Sequence, residues 1–208
     1  MNKKYFVIGF NKTATTTFHN LFLQNNLKSQ HMKSIYWDTS TYDCFSDITS
    51  GDNIWKNLDK IYTDAVFILN IRNLDKWLIS RFKHGLRGML KPNWAYPYTY
   101  DKCKSWIYQR ECVHHEILYH FLNKPNKLII VNIDKQNWID YICSELGFKN
   151  NNIISHNVHK TDETNNSHKE IVTLVNSTLD ELGYDRNISL ISDKELLNKY
   201  IGVYNTYI

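Results

Sequence analysis

Residues 65–71 read Ala-Val-Phe-Ile-Leu-Asn-Ile, an apolar run broken by one asparagine. A strand with one wet face alternates apolar and polar residues. A continuous run instead marks a strand buried on both faces, as in a parallel sheet covered by helices. The runs at 128–131 (Leu-Ile-Ile-Val) and 4–9 (Lys-Tyr-Phe-Val-Ile-Gly) have the same character. Helical periodicity occupies 15–25, 74–82, 102–122, 138–146 and 171–182, and the last two segments stop at Gly147 and Gly183. A second extended segment is expected at 31–37, and at least one helix within 41–62. Strands alternating with helices predict a three-layer α/β fold, a central parallel sheet flanked by helices. The 208 residues suit one domain, 1–208.

Composition narrows the class of partner. The chain carries 25 basic and 21 acidic residues, a net charge of +4. That is a mild bias towards anionic ligands, far from the clustered charge of a nucleic-acid binder, so no nucleic-acid partner is expected. Cys44, Cys103, Cys112 and Cys143 are widely spaced, which indicates neither a disulfide framework nor a zinc site. His114, His115 and His120 fall on a helix without ligand spacing. No apolar run reaches the roughly 18 residues of a membrane span, and the first ten residues lack a signal pattern. A soluble, cytoplasmic protein is the expectation.

Function concentrates in residues 9–18, Gly-Phe-Asn-Lys-Thr-Ala-Thr-Thr-Thr-Phe, between the first strand and the first helix. A strand, a hydroxyl-rich loop and a helix N-terminus together make a phosphate cradle. The nucleotide-triphosphatase pattern G-x-x-x-x-G-K-[ST] does not fit, because Lys12 follows Gly9 by three residues and precedes the threonines. The strand at 65–71 also runs into Asn70-Ile71-Arg72, with no aspartate there to hold magnesium. A cation at that strand end points to a second anion.

These residues resemble the sulfotransferases that use 3′-phosphoadenosine 5′-phosphosulfate (PAPS). Lys12-Thr13-Ala14-Thr15-Thr16 is similar to their 5′-phosphosulfate loop, and Phe67 to Ser80, with Arg72 eight residues before Ser80, to their 3′-phosphate signature. A softer similarity covers 128–160: a strand, a helix ending in Leu-Gly-Phe, and the loop His156-Asn-Val-His159-Lys160. The likeness is closer to the carbohydrate-type members than to the cytosolic small-molecule type. It differs at Ala14, where that family has glycine, and at Thr17, where the small-molecule type carries a tryptophan.

The resemblance implies transfer of the sulfuryl group to a hydroxyl or amine of a small-molecule or glycan acceptor, with PAP as product and no metal. Lys12, Thr13, Ala14, Thr15, Thr16 and Thr17 would hold the 5′ end, Arg72 and Ser80 the 3′-phosphate, with Lys160 or Arg186 as a further donor. Lys12 would neutralise charge on the bridging oxygen, and His31 would act as general base. The Gly/Pro-punctuated stretch 82–104 makes His84, Arg87, Trp94 and Tyr96 candidate acceptor contacts. Three alternatives stay open: a P-loop kinase or nucleotide phosphotransferase, a catalytically inactive PAP- or nucleotide-binding protein, and a plain interaction domain without nucleotide affinity. For Arg72 the plain alternative is a structural ion pair with Asp75 or Asp64.

Overall fold

The computed structural model of the chain describes residues 3–31, 38–48, 53–88, 98–150, 166–201 and 205–207. In chain order the elements are β1 (Tyr5–Val7), α1 (Thr15–Gln24), β2 (Ser29–His31), β3 (Cys44–Ser46), α2 (Ile54–Ile61), β4 (Val66–Ile71), α3 (Leu74–Gly88) and α4 (Tyr100–Phe121). A 3-10 turn, Pro125–Lys127, leads into β5 (Leu128–Asn132). Then come α5 (Trp138–Leu146), α6 (Asn166–Leu182), α7 (Lys194–Ile201) and β6 (Asn205–Tyr207).

The strands form one sheet in the order β2-β3-β1-β4-β5-β6, with every pairing parallel. Each long strand is buried along its whole length, as the unbroken apolar runs require. Alternate residues feed two cores. Phe6, Ile8, Phe67, Leu69, Leu128 and Ile130 pack with Trp55 of α2 and Ile117, Leu118 and Phe121 of α4. Val7, Val66, Ile68, Ile129 and Val131 pack with Phe18 and Phe22 of α1 and Ile142 of α5. A third cluster joins α3, α4 and α6 through Trp77, Phe82, Trp106 and Leu179, and it takes in Phe10 from the first loop. Each fully buried large side chain stabilises the fold by about 1.5–3 kcal/mol.

Several boundaries differ from expectation. β2 ends at His31, whereas the expected extension 32–37 lies outside the described residues. A short strand, β3, precedes α2 in a stretch read only as helix-bearing. Its three residues, Cys-Phe-Ser, are too few to register as a period. Helix α3 runs on to Gly88, six residues past Phe82. Gly147 and Gly183 do end their helices, each with positive φ, and Phe148 and Tyr184 donate backward to Cys143 and Leu179.

Two features of this topology position the site. From β1 the chain crosses through α1 to β2, on one side, while β4 leads through α3 and α4 to β5 on the other. The carboxyl ends of β1 and β4 therefore flank the switch point where open α/β sheets bind ligands. Helix α4 runs antiparallel to the strands: Phe121 packs on Phe67 near the start of β4 (4.8 Å between ring centroids), and Arg110 donates to the Arg72 carbonyl just past its end (2.8 Å). The turns before Arg110 consequently rise beyond the strand ends. No helix among the described residues is long and apolar enough to cross a membrane.

Candidate functional site

The loop after β1 is shaped from beneath by Asn70. Gly9 N–H donates to Asn70 Oδ1 (2.9 Å), and Asn70 Nδ2 donates to the Thr13 carbonyl (2.6 Å) and hydroxyl (2.7 Å). Gly9 is needed here for close approach, since a β-carbon would lie 2.0 Å from the Asn70 carbonyl oxygen. Trp77 Nε1 donates to the Asn11 carbonyl (3.1 Å) and holds the loop from the α3 side. Asn70 is thus the one break in the apolar run because it serves the loop.

Lys12 and Ala14 both lie in the left-handed region, at φ 68° and φ 64°. Ala14 is the N-cap of α1, and no side chain caps that end. The first-turn amides of α1 are therefore directed at whatever sits above the loop, with the positive end of the helix dipole behind them. The threonines divide. Thr13 is buried and its hydroxyl donates to the Phe10 carbonyl, which removes that hydroxyl from the expected phosphate donors. Thr15 and Thr17 are buried, whereas Thr16 is exposed at the start of the helix.

His31 is brought to this helix by the sheet order. Its Nε2 lies 3.3 Å from Thr16 Oγ1 and its Nδ1 2.9 Å from Ser46 Oγ, at the end of β3. His19, one turn along α1, stacks against it at 5.5 Å and is itself hydrogen-bonded to Ser29. Burial lowers the pKa of His31, and the charge of Asp47 opposes that shift. The ring is accordingly neutral at neutral pH, the form in which an imidazole can accept a proton.

Arg72 stands at the end of β4 and faces the loop. Its Nη1 donates to the Lys12 carbonyl (3.4 Å), and its Nε lies 3.4 Å from Asp134 Oδ1. Asp134 also accepts from Asn73 N–H (2.9 Å) and lies 3.7 Å from Lys76. The ion-pair partner is Asp134, beyond β5, in place of Asp75 or Asp64. A cavity of about 910 Å³ opens beside it, lined in part by Asn73, Asn132, Asp134, Tyr184 and Ser192.

The structure thus gathers Lys12, Thr13, Ala14, Thr15, Thr16, Thr17, Arg72 and His31 at one end of the sheet. Ser80 is half-buried on α3, and His84 is exposed further along the same helix. The guanidinium of Arg186 is engaged by Asp180 at 2.6 and 2.7 Å. Arg87 falls in the last turn of α3 with its side chain outside the described residues, as are Trp94, Tyr96, His156, His159 and Lys160. Among the described residues no group of three or more His, Cys, Asp or Glu could hold a metal ion. Asn70, Ser46, Asp47, His19 and Asp134 were not anticipated; of these, Asn70 alone left a signal, as the polar break in an apolar strand. No protein-family model matches the chain, and no curated protein matches it either.

Proposed function

We propose that this chain is a PAPS-dependent sulfotransferase acting on a hydroxyl or amine of an acceptor, with carbohydrate as the leading class. The observation that carries this reading is the convergence of His31 on Thr16, 3.3 Å apart, above an uncapped helix start that follows Lys12. A cradle for an anion and a neutral imidazole then share one edge. PAPS supplies a sulfuryl group whose sulfur bonds to the acceptor oxygen as its bond to the bridging phosphate oxygen breaks. Lys12 and the α1 amides favour the charge left on that oxygen, because preorganised donors act without reorganisation. His31 Nε2 takes the proton of the acceptor hydroxyl, and burial keeps it free to do so. Arg72, at the neighbouring strand end, supplies a planar fork for the second phosphate.

One observation favours the phosphotransferase alternative. β3 lies directly beside β1 and runs into Ser46-Asp47, so an acid does follow a strand adjacent to the loop. P-loop enzymes hold magnesium from such a position. The deciding experiment is thermal unfolding with PAP, and separately with ATP and magnesium. Stabilisation by PAP without metal is the expected result. Stabilisation by ATP–magnesium alone overturns the sulfotransferase reading in favour of the second.

A further inference from the structure

Arg110 lies in the middle of α4 and is 2% exposed. Its Nη2 donates to the carbonyls of Arg72 (2.8 Å), Ile188 (3.5 Å) and Ser189. The guanidinium also lies 5.4 Å from the ring centroid of Trp77, whose Nε1 holds the Asn11 carbonyl. One buried cation thus underlies both Arg72 and the loop after β1. Burial lowers its pKa to about 10, so it remains a cation at neutral pH.

A cation enclosed by backbone carbonyls is a costly way to fill space, and an apolar side chain would fill it without desolvating a charge. What the guanidinium adds is direction. The ladder of β4 stops at Ile71, whose carbonyl accepts from Ile133 N–H (3.0 Å), and the next carbonyl, that of Arg72, takes its donor from Arg110. Asn73 N–H, the other polar end of the same peptide unit, donates to Asp134 Oδ2 (2.9 Å). A peptide unit is planar, so gripping both its edges fixes ψ of Arg72 and the bearing of the Arg72 side chain. Leu74 and Asp75 N–H donate to the Ile188 and Arg186 carbonyls (2.8 and 3.3 Å), so the segment that Arg110 holds also holds the start of α3. Glu111 Oε2 accepts from Ser192 N–H (3.0 Å), and His114 Nδ1–H donates to the Leu190 carbonyl (2.7 Å). Neighbouring positions on α4 therefore grip this segment along 188–192.

We infer that Arg110 is a positioning residue for the second anion site, clamping the Arg72–Asn73 peptide so that the Arg72 fork meets the 3′-phosphate. The choice of ligand rests on the sulfotransferase reading; the clamp does not. Arg110 acts on the ligand through Arg72, so its effect on binding vanishes once the Arg72 side chain is removed.

The test titrates the full chain with PAP and with adenosine 5′-phosphate by calorimetry, and follows amide hydrogen exchange at Leu74 and Asp75. Arg110→Gln weakens PAP binding by roughly tenfold or more, the size of a charged hydrogen bond, and leaves adenosine 5′-phosphate almost unchanged. Arg110→Lys, which keeps a charged donor, loses less. Added to Arg72→Ala, Arg110→Gln produces no further loss. The Leu74 and Asp75 amides exchange faster in both Arg110 variants. Equal losses for the two nucleotides, unchanged PAP affinity, or a second full loss in the Arg72→Ala background overturns the proposal. Should Arg110→Gln fail to fold by circular dichroism, Arg110→Lys carries the comparison, and an unchanged preference for PAP over adenosine 5′-phosphate overturns it. Failure of the unmodified chain to bind PAP removes the sulfotransferase reading and the ligand with it. Exchange then decides the clamp, which faster exchange in Arg110→Lys supports and equal exchange overturns.

Discussion

Asn70 and Thr13, 57 residues apart, are joined by two hydrogen bonds, from one side-chain amide nitrogen to the Thr13 carbonyl at 2.6 Å and to its hydroxyl at 2.7 Å. With the bond from Gly9, this makes the loop a covalent neighbour of β1 but a hydrogen-bonded dependant of β4. Asn70→Leu keeps similar bulk and strands the Gly9 N–H and the Thr13 carbonyl in a dry setting. Each such orphan costs about 1–3 kcal/mol, so the melting temperature should fall by roughly 5–15 °C. Circular dichroism melts check this, and an unchanged melt would mean that water or another donor replaces the amide. Gly9→Ala should be at least as damaging, since its β-carbon meets backbone oxygen.

Arg72 reaches both the loop and Asp134, so its removal tests recognition as well as architecture. Arg72→Ala should weaken binding of PAP while sparing adenosine 5′-phosphate, which lacks the 3′-phosphate. Charged hydrogen bonds contribute about 1.5–3 kcal/mol, which corresponds to a loss of roughly 10- to 150-fold in affinity for PAP. Calorimetric titration of both nucleotides gives the comparison. An equal loss for the two would place Arg72 in the structural ion pair alone.

The parts of this site differ in how much the sequence reveals. Val66–Ile71 and Leu128–Asn132 are buried on both faces, so composition alone identifies them as strands. The loop announces itself by spacing from Gly9 to Thr17. Cys44–Ser46 does not, because a strand of three residues has no period to detect, and its place beside β1 is a property of the sheet. The same holds for His31 with Ser46 and for Arg72 with Asp134. These are contacts between strand ends, decided by strand order, and strand order is long-range. Thr13 shows the converse, a hydroxyl whose type suits phosphate but whose burial commits it to the loop itself.

His114 gives the protein an acid-sensitive element, its ring 5.7 Å from that of Phe10 in the first loop. Burial is the chief reason its pKa falls to about 3, the Arg110 charge lowers it further, and the bond from Nδ1–H to the Leu190 carbonyl (2.7 Å) works the other way. Between pH ~6.5 and that value the unfolded chain binds a proton here and the folded chain does not. Stability therefore falls as pH falls, by about 1.4 kcal/mol per unit. Urea unfolding at pH 7.5 and pH 5 should show the loss in the unmodified chain and about 2 kcal/mol less of it in His114→Gln. Parallel losses in the two proteins would assign the acid sensitivity to other groups.

Ala14 occupies a backbone conformation that glycine adopts without steric penalty, φ 64° and ψ 28°, at the point where the helix begins. An L-residue there costs about 1 kcal/mol or slightly more, and glycine in exchange adds roughly 0.5–1 kcal/mol of unfolded-chain entropy. The two nearly cancel, so Ala14→Gly should leave the melting temperature within about 2 °C of its starting value. Ala14→Val, branched at Cβ in a left-handed position, should lower it by more than about 5 °C. If the loop holds a phosphate, removing the methyl also lets that group approach the first-turn amides more closely, and PAP should bind more tightly to Ala14→Gly at almost unchanged stability. Tighter binding without a change in melting separates the role of Ala14 at the ligand from its role in the fold. A large drop in melting would instead show that the methyl matters chiefly through its packing against the α1–α5 core.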